Sequence, residues 1–112
     1  MTETEFNDLV DDTLIKIEEG VDASGVDIEC ETATGILTLE FTDGSKIIVN
    51  RHVPNREIWV AAKSGGFHFR ADHGHWRDTR GHDDLATALT RLLKSQAHVA
   101  LRLPDLPAPQ ER

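Results

Sequence analysis

The chain has 112 residues, 38% hydrophobic and 29% charged, a balance typical of one globular domain with a modest core. Its net charge of −8 argues against nucleic acid or an anionic membrane as a partner, and no apolar run is long enough for a transmembrane helix. The acidic N-terminus does not resemble a signal peptide and the single Cys30 cannot form an internal disulfide, so we expect a cytoplasmic protein.

The excess negative charge lies at the start of the chain. Residues 1–31 hold eleven acids and one base, Lys16, which gives them a charge of −10, whereas residues 32–112 carry +2. An acidic face without interspersed Lys or Arg is an unusual way to build a solvent-exposed surface. We therefore consider it a candidate binding surface, and the alternative is a solvated face that only keeps the protein in solution.

An amphipathic helix is predicted within this acidic segment. Its apolar residues recur at spacings of three and four from Phe6 to Ile17. Thr2 or Thr4 is a suitable N-cap, and Gly20 is a suitable end. Most of the helix's acids then fall on the side opposite the apolar stripe.

A loop over residues 22–25 is predicted to lead into a first strand. Val26, Ile28 and Cys30 alternate with acids, so the apolar side faces inward and Cys30 is expected in the core. The other side of this strand consists of three carboxylates, those of Asp27, Glu29 and Glu31.

Four β-prone runs follow, separated by turn signals that include the hairpin dipeptide Asp43-Gly44. They cover residues 36–41, 46–50, 57–62 and 66–70. We expect them to form an antiparallel sheet with a helix closing it from each end of the chain.

The second helix is predicted from Asp83 to about Gln96, where leucines and alanines return to helical spacing. Three apolar residues beyond it are expected to pack back on the core: Val99, Leu101 and Leu103. Residues 1–103 are predicted to form a single domain, and residues 104–112, with three prolines, an irregular tail.

Trp59 is predicted to lie on the wrong side of its strand for a core residue. Because Ile58 and Val60 continue the core alternation, Trp59 faces outward in the region of Ile48 and Asn50. A large apolar side chain beside an amide on an open face is typical of a recognition site. The alternative is that a loop or the tail covers it.

Two groups of residues are candidate metal ligands. The clustered carboxylates suit hard cations such as iron, Mn²⁺, Mg²⁺ or Ca²⁺, bound weakly and with much water because one helix and one strand edge form no closed cage. His73 and His75 are a possible secondary site for a transition metal at a hairpin tip, unless they are simply solvated. Phosphate-binding glycine loops, Cys-x-x-Cys and G-x-S-x-G are absent from the sequence, so we predict no enzyme with a defined pocket.

The sequence to about His98 resembles the frataxin family, and within it the bacterial frataxin-like proteins. The matching stretches are Phe6 to Glu19, Ile28-Glu29-Cys30-Glu31, Gly35 to Leu39, Asp43-Gly44, Ser45 to Arg51, Pro54, Ile58-Trp59-Val60-Ala61, Gly65 to Phe69 and Trp76. The resemblance implies an α+β fold, an α-β sandwich in which two terminal helices pack on one face of an antiparallel β-sheet.

The resemblance also implies an iron site and partners. The iron-binding ridge would consist of Glu18, Glu19 and Asp22, with smaller contributions from Asp11, Asp12, Asp27, Glu29 and Glu31. Glu18 and Glu19 would also meet a basic surface of a cysteine desulfurase, while Asn50 and Trp59 would contact the iron–sulfur scaffold machinery. The chain departs from the family in Ala23-Ser24-Gly25, where relatives are often more acidic, and in its His-Gly-His turn.

The leading hypothesis is therefore a non-enzymatic, iron-binding regulator or iron donor of iron–sulfur cluster assembly. Two alternatives stay open: a ferroxidase that oxidises iron at the same carboxylates, and an acidic protein-interaction module whose metal binding is incidental. Iron, or another divalent cation, is expected to bind weakly. We expect a monomer, with an iron-dependent oligomer as the alternative.

Overall fold

The computed structural model of the chain describes residues 1–81 and 83–97. The elements are α1 (Glu3–Ser24), β1 (Ile28–Ala33), β2 (Ile36–Phe41), β3 (Lys46–His52), β4 (Glu57–Ala62), β5 (Gly65–Asp72), β6 (His75–Asp78) and α2 (Leu85–Ala97). The strands form one antiparallel sheet whose spatial order follows the chain from β1 to β6. The expected α+β sandwich, with both helices on one face of the sheet, is confirmed.

The core lies between the helices and the inner face of the sheet. Alternate strand residues are buried there because successive side chains of a strand point to opposite faces. Trp76 is the largest fully buried side chain, and it meets Phe6 of α1 edge to face with the ring centroids 6.2 Å apart. We call the side of the sheet opposite α1 and α2 the outer face.

The first helix is longer than predicted. The Thr2 cap is confirmed, because its side chain accepts from the Glu5 amide while the Glu5 carboxylate accepts from the Thr2 amide. The predicted end at Gly20 and the loop over residues 22–25 are wrong, since the helix continues to Ser24. The apolar stripe extends to fully buried Val21, and Gly25 ends the helix in the left-handed conformation with φ +72°.

The sheet has one strand more than predicted. The bounds of β2 and β4 agree with the prediction, β3 and β5 are each longer, and β1 begins at Ile28 rather than Val26. The missing strand is β6, which contains Trp76 and pairs with the end of β5. The expectations for Val99, Leu101, Leu103 and the tail 104–112 concern residues outside the described ranges, so the 1–103 domain boundary stays a prediction.

The second helix is confirmed, and Asp84 caps its start. The Asp84 carboxylate accepts a hydrogen bond from the Thr87 amide at 2.8 Å. Burial by itself would raise the pKa of the Asp84 carboxyl, but the hydrogen bonds from Thr87 and the nearby His75 and Arg77 lower it below its ordinary value. Within the described ranges no helix is both long and apolar enough to cross a bilayer.

Replacing this cap, Asp84→Ala, is expected to lower the free energy of unfolding by about 0.5–2 kcal/mol at pH 7. Because the folded-state pKa is depressed, the contribution is complete above roughly pH 4 and is lost as the pH falls through the folded value. Urea unfolding of both proteins at pH 7 and in acid measures this. A stability difference that is as large in acid as at pH 7 would contradict the ionised-cap explanation.

Candidate functional site

The acidic surface of α1 consists of the carboxylates of Asp11, Asp12, Glu18, Glu19 and Asp22. All of these residues are exposed except Glu18, which is half-buried. Lys16 is the only base of the helix, so most of this charge is unneutralised. Towards the C-terminal end of α1 the surface reaches the edge strand β1, where the Thr32 hydroxyl donates to the Glu18 carboxylate at 3.3 Å.

Asp11 differs from the other acids because it is paired. Its carboxylate forms an ion pair with Arg51 of β3, whose guanidinium also donates to the Asn7 side chain at 2.8 Å. Gly35 leaves the room for this guanidinium, since a Cβ at that position would collide with it. Asp11 therefore joins α1 to the sheet and is the member of the acidic surface whose charge is already compensated.

The predicted carboxylates of β1 lie on the outer face, on the other side of the strand from α1. Glu29 stands directly opposite Glu40 of β2, and Glu31 stands opposite Thr38. Two like charges facing each other across a pair of strands are unfavourable, and a bound cation would relieve them. Glu40 was not among the predicted ligands, although its outward position in an alternating strand was a usable signal.

The eight predicted ligands are thus not one cluster. The structure places five on α1, two on the outer face of β1, and Asp27 in the loop between these elements. Among the described residues, no three His, Cys, Asp or Glu side chains are grouped closely enough to hold a metal ion. An ion on this surface would be held by one or two carboxylates and by water.

Cys30 lies on the inner side of β1, half-buried against the core. Burial, reinforced by the negative charges of Asp22 and Glu18, raises the pKa of its thiol to about 11. The thiol is therefore protonated at neutral pH, and thiols bind metals and react as nucleophiles only as thiolates. The interpretation of Cys30 as a packing residue agrees with its position.

Cys30 is expected to react with iodoacetamide at pH 7.5 roughly 100-fold more slowly than an unperturbed thiol, because its thiolate fraction is that much smaller. Mass spectrometry over a time course measures the rate, and the same chain unfolded in urea serves as the control. Equal rates in the folded and unfolded chains would contradict the assignment.

Of the two histidines of the predicted secondary site, His73 lies in the β5–β6 turn and His75 is the first residue of β6. His73 and Gly74 both have positive φ, +50° and +83°, as a two-residue type I′ hairpin turn requires. Their side chains lie beside different carboxylates, His73 beside Asp72 and His75 with its Nδ1 3.8 Å from Asp84. Within residues 1–81 and 83–97 the two imidazoles belong to no group of three possible ligands, and a metal site here stays a prediction.

Trp59 lies on the outer face, as its strand alternation predicts. It is directly opposite Asn50 of β3 and His68 of β5. The indole is stacked between two imidazoles, with centroid distances of 3.8 Å to His52 and 4.2 Å to His68 and interplanar angles of 9° and 7°. These rings account for its half-buried state. Neither histidine was predicted, because the stack depends on strand register.

Glu57 lies beneath this stack and was not predicted either. It is only 3% exposed, although it is on the outer face, and its carboxylate accepts from Trp59 Nε1 at 2.8 Å and from Arg70 Nη2 at 2.7 Å. Burial alone would raise the pKa of the Glu57 carboxyl, but these two hydrogen bonds and the charges of Arg70 and His68 lower it. Glu57 is therefore a buried, ionised and fully partnered group.

A comparison with known families identifies the fold. The family model described as a frataxin-like domain matches residues 1–99 of the chain. The chain belongs to the frataxin-like family. Among its frataxin-like relatives is the iron–sulfur cluster assembly protein CyaY of Photobacterium profundum, 48% identical over 91 residues, which are 81% of this chain and 87% of the relative. CyaY of Dechloromonas aromatica is 47% identical over 104 residues, covering 92% of this chain and 99% of the relative.

Solved frataxin structures agree with this assignment. The frataxin of Psychromonas ingrahamii superimposes with a TM-score of 0.88 at 32% identity, covering 94% of this chain and all of that one. The trimeric frataxin of Saccharomyces cerevisiae in complex with ferrous iron gives a TM-score of 0.67 at 29% identity, covering 84% of this chain and 86% of that one. The relatives' names describe assembly proteins rather than enzymes.

Proposed function

We propose that this protein is an iron-binding regulator, or iron donor, of iron–sulfur cluster assembly that acts on the cysteine desulfurase. The observation that carries the proposal is the largely unneutralised acidic surface of α1 in a chain whose relatives are named iron–sulfur cluster assembly proteins. Such a surface attracts both hard cations and basic protein surfaces.

Iron is proposed to bind first at the C-terminal part of the acidic surface, around Glu18, Glu19 and Asp22. These carboxylates have no described ion pair, in contrast to Asp11. Titration with Fe²⁺ followed by backbone amide signals tests the assignment, because signals near bound iron broaden. Broadening centred on His73 and His75, with the Glu18–Asp22 region unaffected, would reject it in favour of the hairpin histidines.

Two surfaces are proposed to contact the assembly machinery. The acidic surface would dock on a basic surface of the cysteine desulfurase, and charge complementarity of this kind mainly accelerates and orients association. The outer face around Asn50 and Trp59 would contact the scaffold protein. Because one surface is charged and the other is largely apolar at Trp59, salt is expected to weaken the first contact much more than the second.

The decisive experiment is a desulfurase activity assay with and without this protein and with and without iron. The proposal expects the protein to change the activity and iron to modify that change. Binding to the desulfurase with no effect of iron on activity would favour an acidic interaction module instead. In parallel, oxygen consumption by Fe²⁺ no faster than in buffer would exclude a ferroxidase.

We propose that the protein acts in the cytoplasm. The isolated protein is proposed to be a monomer. Light scattering before and after addition of Fe²⁺ tests the oligomeric state. A larger species that forms only with iron would support the alternative of an iron-dependent oligomer.

A further inference from the structure

The outer face contains an arrangement that the proposed function does not explain: a nearly buried carboxylate under an aromatic stack. Glu57 is 3% exposed on the side of the sheet opposite α1 and α2. A charged group is rarely buried unless hydrogen-bond partners compensate its lost hydration. Trp59 and Arg70 are these partners for the Glu57 carboxylate.

The bond to Trp59 constrains the indole strongly. An indole has one polar atom, Nε1, and this atom donates to Glu57 at 2.8 Å. Hydrogen bonds to charged acceptors are stronger than those between neutral groups. Rotation of the indole about its side-chain bonds would break this hydrogen bond, and the Glu57 carboxylate would lose one of its donors.

The two histidines constrain the same ring from its faces. His52 and His68 lie parallel to the indole on opposite sides, at 3.8 Å and 4.2 Å. Because the indole separates them, the two imidazoles do not share a position from which both could ligate one ion. His68 Nδ1 is also 3.9 Å from the Glu57 carboxylate, so the stack and the buried acid form one unit.

We propose that Glu57 is a positioning residue that fixes Trp59 in a single orientation, edge-on to a partner. This inference rests on the proposed function, in which Trp59 contacts the assembly machinery. With both faces stacked and Nε1 bonded inward, the carbon edge is the part of the indole that the described residues leave free. The partner therefore needs an apolar slot at this point, and neither a cation over the ring nor a hydrogen-bond acceptor for the indole would be recognised.

The first test measures the indole directly, without any partner. The Trp59 Nε1–H signal, assigned by its loss in Trp59→Phe, is followed by hydrogen exchange. Glu57→Ala is expected to speed its exchange roughly 10- to 100-fold, because a hydrogen bond to a charged acceptor is lost. Glu57→Gln retains an acceptor of the same shape and is expected to fall between Glu57→Ala and the unsubstituted protein.

Glu40→Gln is the matched control, since it removes a carboxylate from the same face two strands away from Trp59. It is expected to leave the Trp59 signal unchanged. Unaltered exchange in both Glu57 variants would overturn the positioning role, whatever their binding behaviour.

The second test uses the scaffold protein, the partner proposed above for the outer face. Trp59→Ala is expected to weaken binding about 30-fold, as for a central aromatic contact, and Glu57→Ala less, by several-fold. The double variant should bind no more weakly than Trp59→Ala alone, because Glu57 acts through the indole. If the double variant loses affinity by the product of the two single effects, the positioning role of Glu57 is overturned. If Trp59→Ala binds as tightly as the unsubstituted protein, the proposed contact of Trp59 is rejected, and the hydrogen-exchange result alone decides the role of Glu57.

Discussion

Reversing two charges of the acidic surface, Glu18→Lys with Glu19→Lys, is expected to weaken binding to the cysteine desulfurase roughly 10- to 100-fold at low salt. Each reversal changes the charge by two, so the net charge rises from −8 to −4. The change falls where α1 meets β1, and it replaces attraction to a basic partner by repulsion. Affinity measured at several salt concentrations tests this, because the loss should shrink as screening increases.

A matched control separates local from overall charge. Glu3→Lys with Asp8→Lys produces the same net charge on the same helix, but nearer its N-terminus and outside the predicted ligand set. This control should reduce affinity much less. Equal losses in the two double variants would show that only the total charge matters, and an unchanged affinity in the first would reject docking by this surface.

The largest effect on stability is expected from Trp76→Ala, at about 3–5 kcal/mol of unfolding free energy. Trp76 is fully buried, joins β6 to the core, and packs edge to face on Phe6 of α1. Its removal leaves a cavity that neighbouring side chains fill only in part. Denaturant unfolding measures the loss.

The same substitution at the other tryptophan provides the comparison. Trp59→Ala removes a half-buried ring from the outer face, away from the core, and is expected to cost clearly less than Trp76→Ala. A similar loss for both variants would contradict the assignment of Trp76 to the core and of Trp59 to a recognition surface.

The sequence predicted the fold where residue alternation is regular. Strands β2 and β4 have clear period-two patterns, and their bounds agree with the structure. Strand β6 was not predicted because Trp76 is the only apolar residue among its four, so the sequence shows no alternation of apolar and polar residues there. The continuation of α1 past Gly20 has another cause. Burial of Val21 stabilises the helix by more than the roughly 1 kcal/mol of helix stability that an internal glycine costs.

The candidate site was predictable in part for a related reason. The concentration of acids in the N-terminal segment and the outward position of Trp59 each depend on one stretch of the chain, so both can be read from the sequence alone. The separation of Glu29 and Glu31 from the helix acids follows from the position of β1 at the sheet edge. The His52–Trp59–His68 stack over Glu57 joins three strands, and only their register brings these rings together.

The order of the strands also has a consequence for how the chain folds. Every strand pairs with its neighbour in sequence, so each pairing closes a short loop and needs little loss of chain entropy. Docking of α1 is different, because the Phe6–Trp76 contact joins α1 to β6, two elements that are far apart in the sequence. We expect the hairpins to form early and this contact late, so Trp76→Ala should accelerate unfolding while slowing folding only slightly.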